Sequence, residues 1–512
     1  MTGWARRTLY NIGAIREASN DLTGAWESYK EAISIVEKIG SQTVVEELRS
    51  QIASETVNLY KRAVLVLLRK GQQVEAFNLS ERTRARSLLD LVGNSDIGSF
   101  ESADPKLNEE WQKELKRLGT LQRSLREENS KPTASQNPEV IRSLSDQIAA
   151  GQFLYEELLN KVKRSNPEYA SFREVDTADL TAVQALLDKQ TTLVSYFVGI
   201  DKVVAFVISS NSFQAVVLPV TDVELKANLT AFAYSFDNLS IQPTAVLRKL
   251  HGQLITPLER YLTTPVVGII PHDVLHYVPF AALFDGQRYL IDKYTLFSLP
   301  SASLLRFIAQ KRKPAGRDIL SISMSQAEGL PILRFADPAA RSVADLFGKQ
   351  ALTGAAATES AFRARAPESA ILFVAAHGKL NIESPMFSEL VMAADQDNDG
   401  MLEVHEIYGL KLKKTNLVVL SAYQTQLGNP SRRDDIVSLN RAFIYAGAPT
   451  VVASLWSVKE EQTGALMYSF LKHYREGMGK AAALQAAQRE VRATSQHPYY
   501  WAAFVLTGDP SR

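Results

Sequence analysis

The sequence predicts an α/β domain, a mostly parallel sheet flanked by helices, preceded by an all-α helical repeat region. Three observations predict it. From Leu9 to Leu91 the apolar residues recur at helical spacing. From about residue 175 onward short β-branched runs take over, bounded by turns. The later runs are apolar on both faces and alternate with helical patterns, as a parallel sheet covered on each side requires.

Within the first region, Gly13, Ala25, Tyr29 and Ala32 fall at the offsets of a tetratricopeptide helix pair. The small residues let two helices approach, and Tyr29 fills the space between them. Residues 56–90 read as a second, looser pair around Tyr60, Gly71 and Ala76. Fewer than three repeats are marginal alone, so these helices are expected to dock on a neighbouring domain or to belong to a longer array. Residues 105–162 are charged and periodic, broken at 131–138, which predicts two long antiparallel helices serving as a spacer. Runs at 192–199, 202–209 and 213–220 predict a strand meander. Buried strands are predicted at 266–270, 318–323, 370–376, 417–421 and 450–455. The domains expected are therefore repeats over 1–95, a helical hairpin over 96–172 and the α/β domain over 173–512.

Composition narrows the chemistry. The chain has 512 residues, 46% hydrophobic and 22% charged, enough for several packed cores in a soluble protein. With 57 Lys plus Arg against 56 Asp plus Glu, no large field draws in nucleic acid or an anionic membrane. Neither is an expected partner, although Lys311-Arg312-Lys313 is a local basic cluster. Residues 1–18 contain no apolar h-region, and no apolar run approaches bilayer length, so a cytoplasmic location is expected. The absence of cysteine excludes a thiolate nucleophile, Cys-ligated zinc and Fe–S clusters in this chain.

In open α/β sheets, chemistry gathers at the carboxyl ends of the strands. The run at 370–376 ends in His377-Gly378, and the run at 417–421 ends in Ala422-Tyr423-Gln424-Thr425. A histidine after one buried strand and a polar turn after a neighbouring one is the layout of a Cys–His peptidase, with imidazole as base and thiol as nucleophile. Val374-Ala-Ala-His-Gly378, Leu417-Val-Val-Leu-Ser-Ala-Tyr-Gln-Thr425, Asn440-Arg-Ala-Phe-Ile-Tyr-Ala-Gly-Ala448 and Val452-Ala-Ser-Leu-Trp456 closely resemble the CHAT domain. So do the stretches 270–283, 299–304, 399–407 and 499–508, and together the resemblance covers roughly residues 175 to 510. CHAT peptidases are caspase-like and commonly follow tetratricopeptide repeats.

The resemblance implies a nucleophile at position 423, His377 as its base, and the Gly378 N–H with that of residue 423 as the oxyanion hole. The 46-residue separation of 377 and 423 is close to the roughly 50 residues between caspase histidine and cysteine. Position 423 is Tyr, however. A phenol ionises near pH 10 and carries its oxygen several ångströms farther from the backbone than a cysteine sulfur, so nucleophile and oxyanion hole no longer converge. The resulting expectation is a catalytically inactive pseudopeptidase that binds protein or peptide partners through the repeats and a vestigial cleft. The alternative is a Cys-to-Tyr variant of an active Arg/Lys-directed endopeptidase. Asp434 and Asp435 are candidates for a pocket that takes a basic side chain, although Asp434 serves equally as a helix N-cap.

A second motif lies between the two loops. Asp395, Asp397, Asp399, Met401 and Glu406 stand at positions 1, 3, 5, 7 and 12 of an EF-hand-like loop, with Gly400 at the turn position, which raises calcium as a possible ligand. The stretch before it reads as a strand rather than a helix, and the CHAT resemblance already accounts for Gly400 and Glu406. The other histidines, His405 among them, show no metal-triad spacing.

Overall fold

The fold was analysed in a computed structural model. It describes residues 2–40, 46–95, 105–131, 135–165, 178–379, 381, 387–421, 423–424 and 435–512. The chain forms two compact units, one of residues 1–60 and 86–176, the other of residues 61–85 and 177–512.

The first unit is helical. Helices Thr2–Ala18 and Leu22–Gly40 pair as the small-residue pattern predicts. Tyr29 is fully buried, and a Cβ added at Gly13 would sit 2.4 Å from its ring. Only a hydrogen fits there, so the glycine sets the interhelical distance. Helices Pro105–Ser130 and Pro138–Ser165 form the expected hairpin, closed by Trp111 against Tyr155 and by Leu118 against Gly151.

The second unit is built on an eleven-stranded sheet. Its strands in chain order are β1 (Thr191–Val198), β2 (Val203–Ile208), β3 (Phe213–Leu218), β4 (Val266–Ile270), β5 (Thr295–Ser298), β6 (Ile319–Ser323), β7 (Leu352–Thr353) and β8 (Ile371–Ala375). They continue with β9 (His377–Lys379), β10 (Glu389–Val391), β11 (Met401–Glu403), β12 (Leu417–Leu420), β13 (Tyr423–Gln424), β14 (Thr450–Ser454) and β15 (Phe504–Gly508). The large sheet runs β3-β2-β1-β4-β5-β15-β14-β12-β8-β6-β7, and a separate four-stranded sheet runs β11-β10-β9-β13. β1 to β3 form the antiparallel meander, β15 is antiparallel to β14, and the other neighbours in the large sheet are parallel. Every residue of β6, β8 and β12 is buried whatever its parity, so both faces of this half are covered. This is the mostly parallel α/β architecture, flanked by helices, that the sequence predicts.

Alternation sorts β1 in the same way. Val194, Tyr196 and Val198 enter a core with the helices Asp222–Tyr234 and Thr244–Leu254. The opposite face meets residues 61–85, which by periodicity belong with the repeats but pack with the sheet. Phe77 lies edge-on to Phe206 and Phe213, Asn78 accepts the Leu180 N–H, and Lys61 pairs with Asp273. Of the basic cluster Lys313 is turned inward, its Nζ donating to the carbonyls of Leu412, Thr415 and Gly447, while Lys311 and Arg312 are exposed and Arg312 pairs with Asp509 at 3.1 Å.

One contact on this face gives a pH dependence. His272 stacks on Phe197, and its Nδ1 accepts the Val198 N–H at 3.0 Å, a bond that protonation of Nδ1 would break. Burial first, then the charges of Arg84 and Lys61, hold its pKa well below the ordinary 6.5. Between that lowered value and 6.5 the unfolded chain binds the extra proton, so stability rises with pH through this window and falls on acidification. His272 is expected to contribute up to about 1.4 kcal/mol per pH unit of that loss. His272→Asn, whose amide oxygen can accept the same N–H, should flatten the slope of urea midpoints between pH 4.5 and 6.5. An unchanged slope would show that His272 does not carry it.

Candidate functional site

β8 and β12 are parallel neighbours, with Leu420 in register with Val374. Each strand then bends out of the large sheet at its carboxyl end. The chain after β8 becomes β9 and the chain after β12 becomes β13, and these extensions pair again in parallel. The register places Tyr423 opposite His377 and Gln424 opposite Gly378. Residues 46 positions apart in sequence thus become backbone neighbours because the strands before them already are.

His377 is 1% exposed. Its Nε2 lies 2.7 Å from the Pro331 carbonyl oxygen, which can only accept, so Nε2 carries the proton. Nδ1 is buried and has no hydrogen-bond partner among the described residues. An imidazole whose Nε2 is fixed from behind and whose Nδ1 has no partner in front has the layout of a general base. The Pro331 carbonyl is a member of the site that sequence reasoning missed. A backbone acceptor has no residue signature, and it arrives from a loop 46 residues upstream.

The acidic residues divide differently. Asp434 lies outside the described residues, and Asp435 opens the helix Asp435–Tyr445. Asp395, Asp397 and Asp399 sit in the connection of the β10–β11 hairpin, so a strand precedes the loop where an EF-hand has a helix. Gly400 has φ +80°, and a Cβ there would strike the Met392 carbonyl at 2.6 Å, so the tight turn alone requires glycine. Asp395 accepts from the Ser360 hydroxyl and from the amides of Ser360, Asp397 and Asn398. Led by the Ser360 hydroxyl, these bonds hold its carboxyl down at about 2.

Glu406 faces elsewhere. It accepts the Glu403 N–H in a capping box at the start of the helix Val404–Tyr408 and pairs with Arg363 at 2.5 Å. Arg363 also holds the buried Glu359 at 2.7 Å. Burial, reinforced by the Glu359 charge, pushes the Glu406 carboxyl up to about 7 despite Arg363. Metal-compatible ligand atoms converge, among the described residues, at Glu403, His405 and Glu406. The structure brings Glu406 there and leaves Asp395, Asp397 and Asp399 outside that group.

The CHAT domain matches residues 244–509, a span that contains β8, β9, β12, β13 and both loop tips. This chain belongs to the CHAT-domain family. Curated relatives include tetratricopeptide repeat protein 28 of Homo sapiens and of Mus musculus, each 25% identical over 322 residues. That alignment covers 51% of this chain and 13% of each relative, so the chain spans a small part of the proteins it matches. Two solved separase–securin complexes from Saccharomyces cerevisiae align at TM-scores of 0.42 and 0.45 with 10% and 11% identity. They cover 99% and 98% of this chain and 47% and 46% of the solved chains. Within that span His377-Gly378 follows β8 and Tyr423-Gln424 follows β12. No helix among the described residues is long and apolar enough to cross a membrane.

Proposed function

We propose that this CHAT-domain protein is a cytoplasmic, non-cleaving member of a peptidase fold that holds an extended protein or peptide segment at the carboxyl ends of β8 and β12. The observation that carries the reading is the backbone register of Tyr423 with His377: if 423 is the nucleophile position, as the CHAT resemblance implies, a phenol stands there in place of a thiol. A neutral phenol at pH 7 gives negligible attack on an amide. The helical unit supplies a second surface for protein partners, as repeat helices do.

The rival reading, an Arg/Lys-directed endopeptidase altered at one residue, is favoured by the bare Nδ1 of His377, which a pure binding protein has no need to keep. Incubating wild type and Tyr423→Cys with a panel of basic peptides separates the two, since the rival reading alone expects the variant to cleave. Wild type should leave every peptide intact by mass spectrometry. Cleavage by wild type would overturn the non-cleaving reading outright.

In this reading the acidic loop is a weak calcium site. Calcium there has to displace Arg363 from Glu406, so uptake by wild type is expected only at about millimolar concentration, whereas Arg363→Gln should bind at least tenfold more tightly. Isothermal titration that gives no uptake in either protein, or equal uptake in both, removes calcium from the proposal.

A further inference from the structure

A cavity of about 110 Å³ lies where the two halves of the large sheet join, away from His377. β5 and β15 are in register at a single position, Ser298 with Thr507, whereas β4 and β5 stay in register over four. The cavity lies along this thin seam. Ile269, Phe297, Leu455 and Leu506 wall it, together with Tyr277 and Phe280. Among the described residues no carboxylate lines it, and Arg441 is the only Lys or Arg that does.

The polar groups at the cavity are incomplete. Among the described residues, the buried Arg441 Nε has no acceptor, and the neighbouring buried Asn440 Oδ1 has no donor. A guanidinium cannot lose its charge to escape this, and buried polar groups in folded proteins are normally satisfied. His276, also in the lining, adds no second cation, since burial and the Arg441 charge lower its pKa to about 3 and keep it neutral. The site is therefore an apolar slot with one uncompensated cation, which asks for an anion with an apolar body.

We propose that this cavity binds a small aliphatic carboxylate, its chain in the seam between β5 and β15 and its carboxylate on the Arg441 guanidinium. Arginine pairs with carboxylates through two parallel N–H donors, and the pairing is strongest where water is excluded. An apolar cavity of about 150 Å³ holds benzene, so this one suits a body of about five or six carbons.

The test uses the full chain and three probes: 4-methylpentanoate, 4-methyl-1-pentanol and acetate, measured by isothermal titration. The branched acid should bind one site with Kd on the order of 0.1 to 1 mM, and the alcohol and acetate at least tenfold more weakly. Arg441→Met should erase the preference for acid over alcohol. Ala281→Leu, at a partly exposed lining position, should weaken the acid and the alcohol alike by filling the slot, with unchanged circular dichroism as the folding control. Equal affinity for acid and alcohol, no heat up to 10 mM acid, or an acid preference that survives Arg441→Met would overturn the proposal.

Discussion

If the altered-endopeptidase reading holds, Tyr423→Cys is expected to create cleavage after Arg or Lys at about 10² to 10³ times the wild-type background, because it supplies a thiol in backbone register with His377. The base needs no repair. Nε2 of His377 is committed to the Pro331 carbonyl, so the lone pair sits on Nδ1, and position 423 is its backbone neighbour. A thiol at 423 would ionise far more readily than the phenol it replaces, and a nearby imidazole lowers its pKa further. Adding His377→Ala should then remove most of that gain, since a general base is usually worth about 10² to 10⁴. Asp434→Asn with Asp435→Asn should reduce the preference for basic residues without abolishing reaction with a small alkylating agent. That reagent also separates failure modes. If the Tyr423→Cys thiol alkylates faster than free cysteine but the variant cleaves nothing, the base works and the substrate cleft has changed its task. A thiol at that position no more reactive than free cysteine would sink the pairing with His377.

The parallel half of the sheet was legible in the sequence because burial on both faces leaves uninterrupted apolar runs. The predicted strand at 266–270 coincides with β4, and those at 318–323, 370–376, 417–421 and 450–455 differ from β6, β8, β12 and β14 by one or two residues at an end. β5 and β15 left no comparable signal. Thr295–Ser298 is only partly apolar, and Phe504–Gly508 alternates buried with half-buried residues, so neither reads as a core run. The pairing of 377 with 423 could be anticipated because both follow buried strands of one sheet, whereas the Pro331 carbonyl depends on a loop whose path no local pattern dictates. The acidic loop shows the opposite limit. Its spacing fits an EF-hand, yet Arg363, a residue on another helix, takes Glu406, and linear spacing cannot register a competing cation. Residues 61–85 were assigned to the repeats for the same kind of reason. Their periodicity is helical in either setting, and the contacts that attach them to the sheet include the pair Glu81 and Arg84, which a sequence shows only as two charges on a helix.

That pair carries the second large effect. Glu81 is fully buried and Arg84 nearly so, with Arg84 Nη1 2.8 Å from Glu81 Oε1. Glu81 Oε2 accepts the N–H groups of Ala302 at 2.8 Å and Ser303 at 3.3 Å, while Arg84 donates to Ser195 Oγ and to the Tyr196 carbonyl. Burial lowers the Arg84 pKa, with Glu81 opposing the shift, but a guanidinium stays charged under any native condition. Two charges out of water do little for net stability when both are present, and removing one leaves the other without its counter-charge. Arg84→Met, which keeps the apolar stem, should therefore cost about 3 to 5 kcal/mol. The loss should be read as a lower opening free energy for the amides of β1 and of residues 73–85 by native-state hydrogen exchange. Arg84→Met combined with Glu81→Gln should recover about 2 kcal/mol of that, because the neutral amide oxygen still accepts from Ala302 and Ser303 while the stranded charge is gone. If the two substitutions merely add, or if Arg84→Met opens β1 by less than about 1 kcal/mol, the charge pair is not what fixes these helices to the sheet.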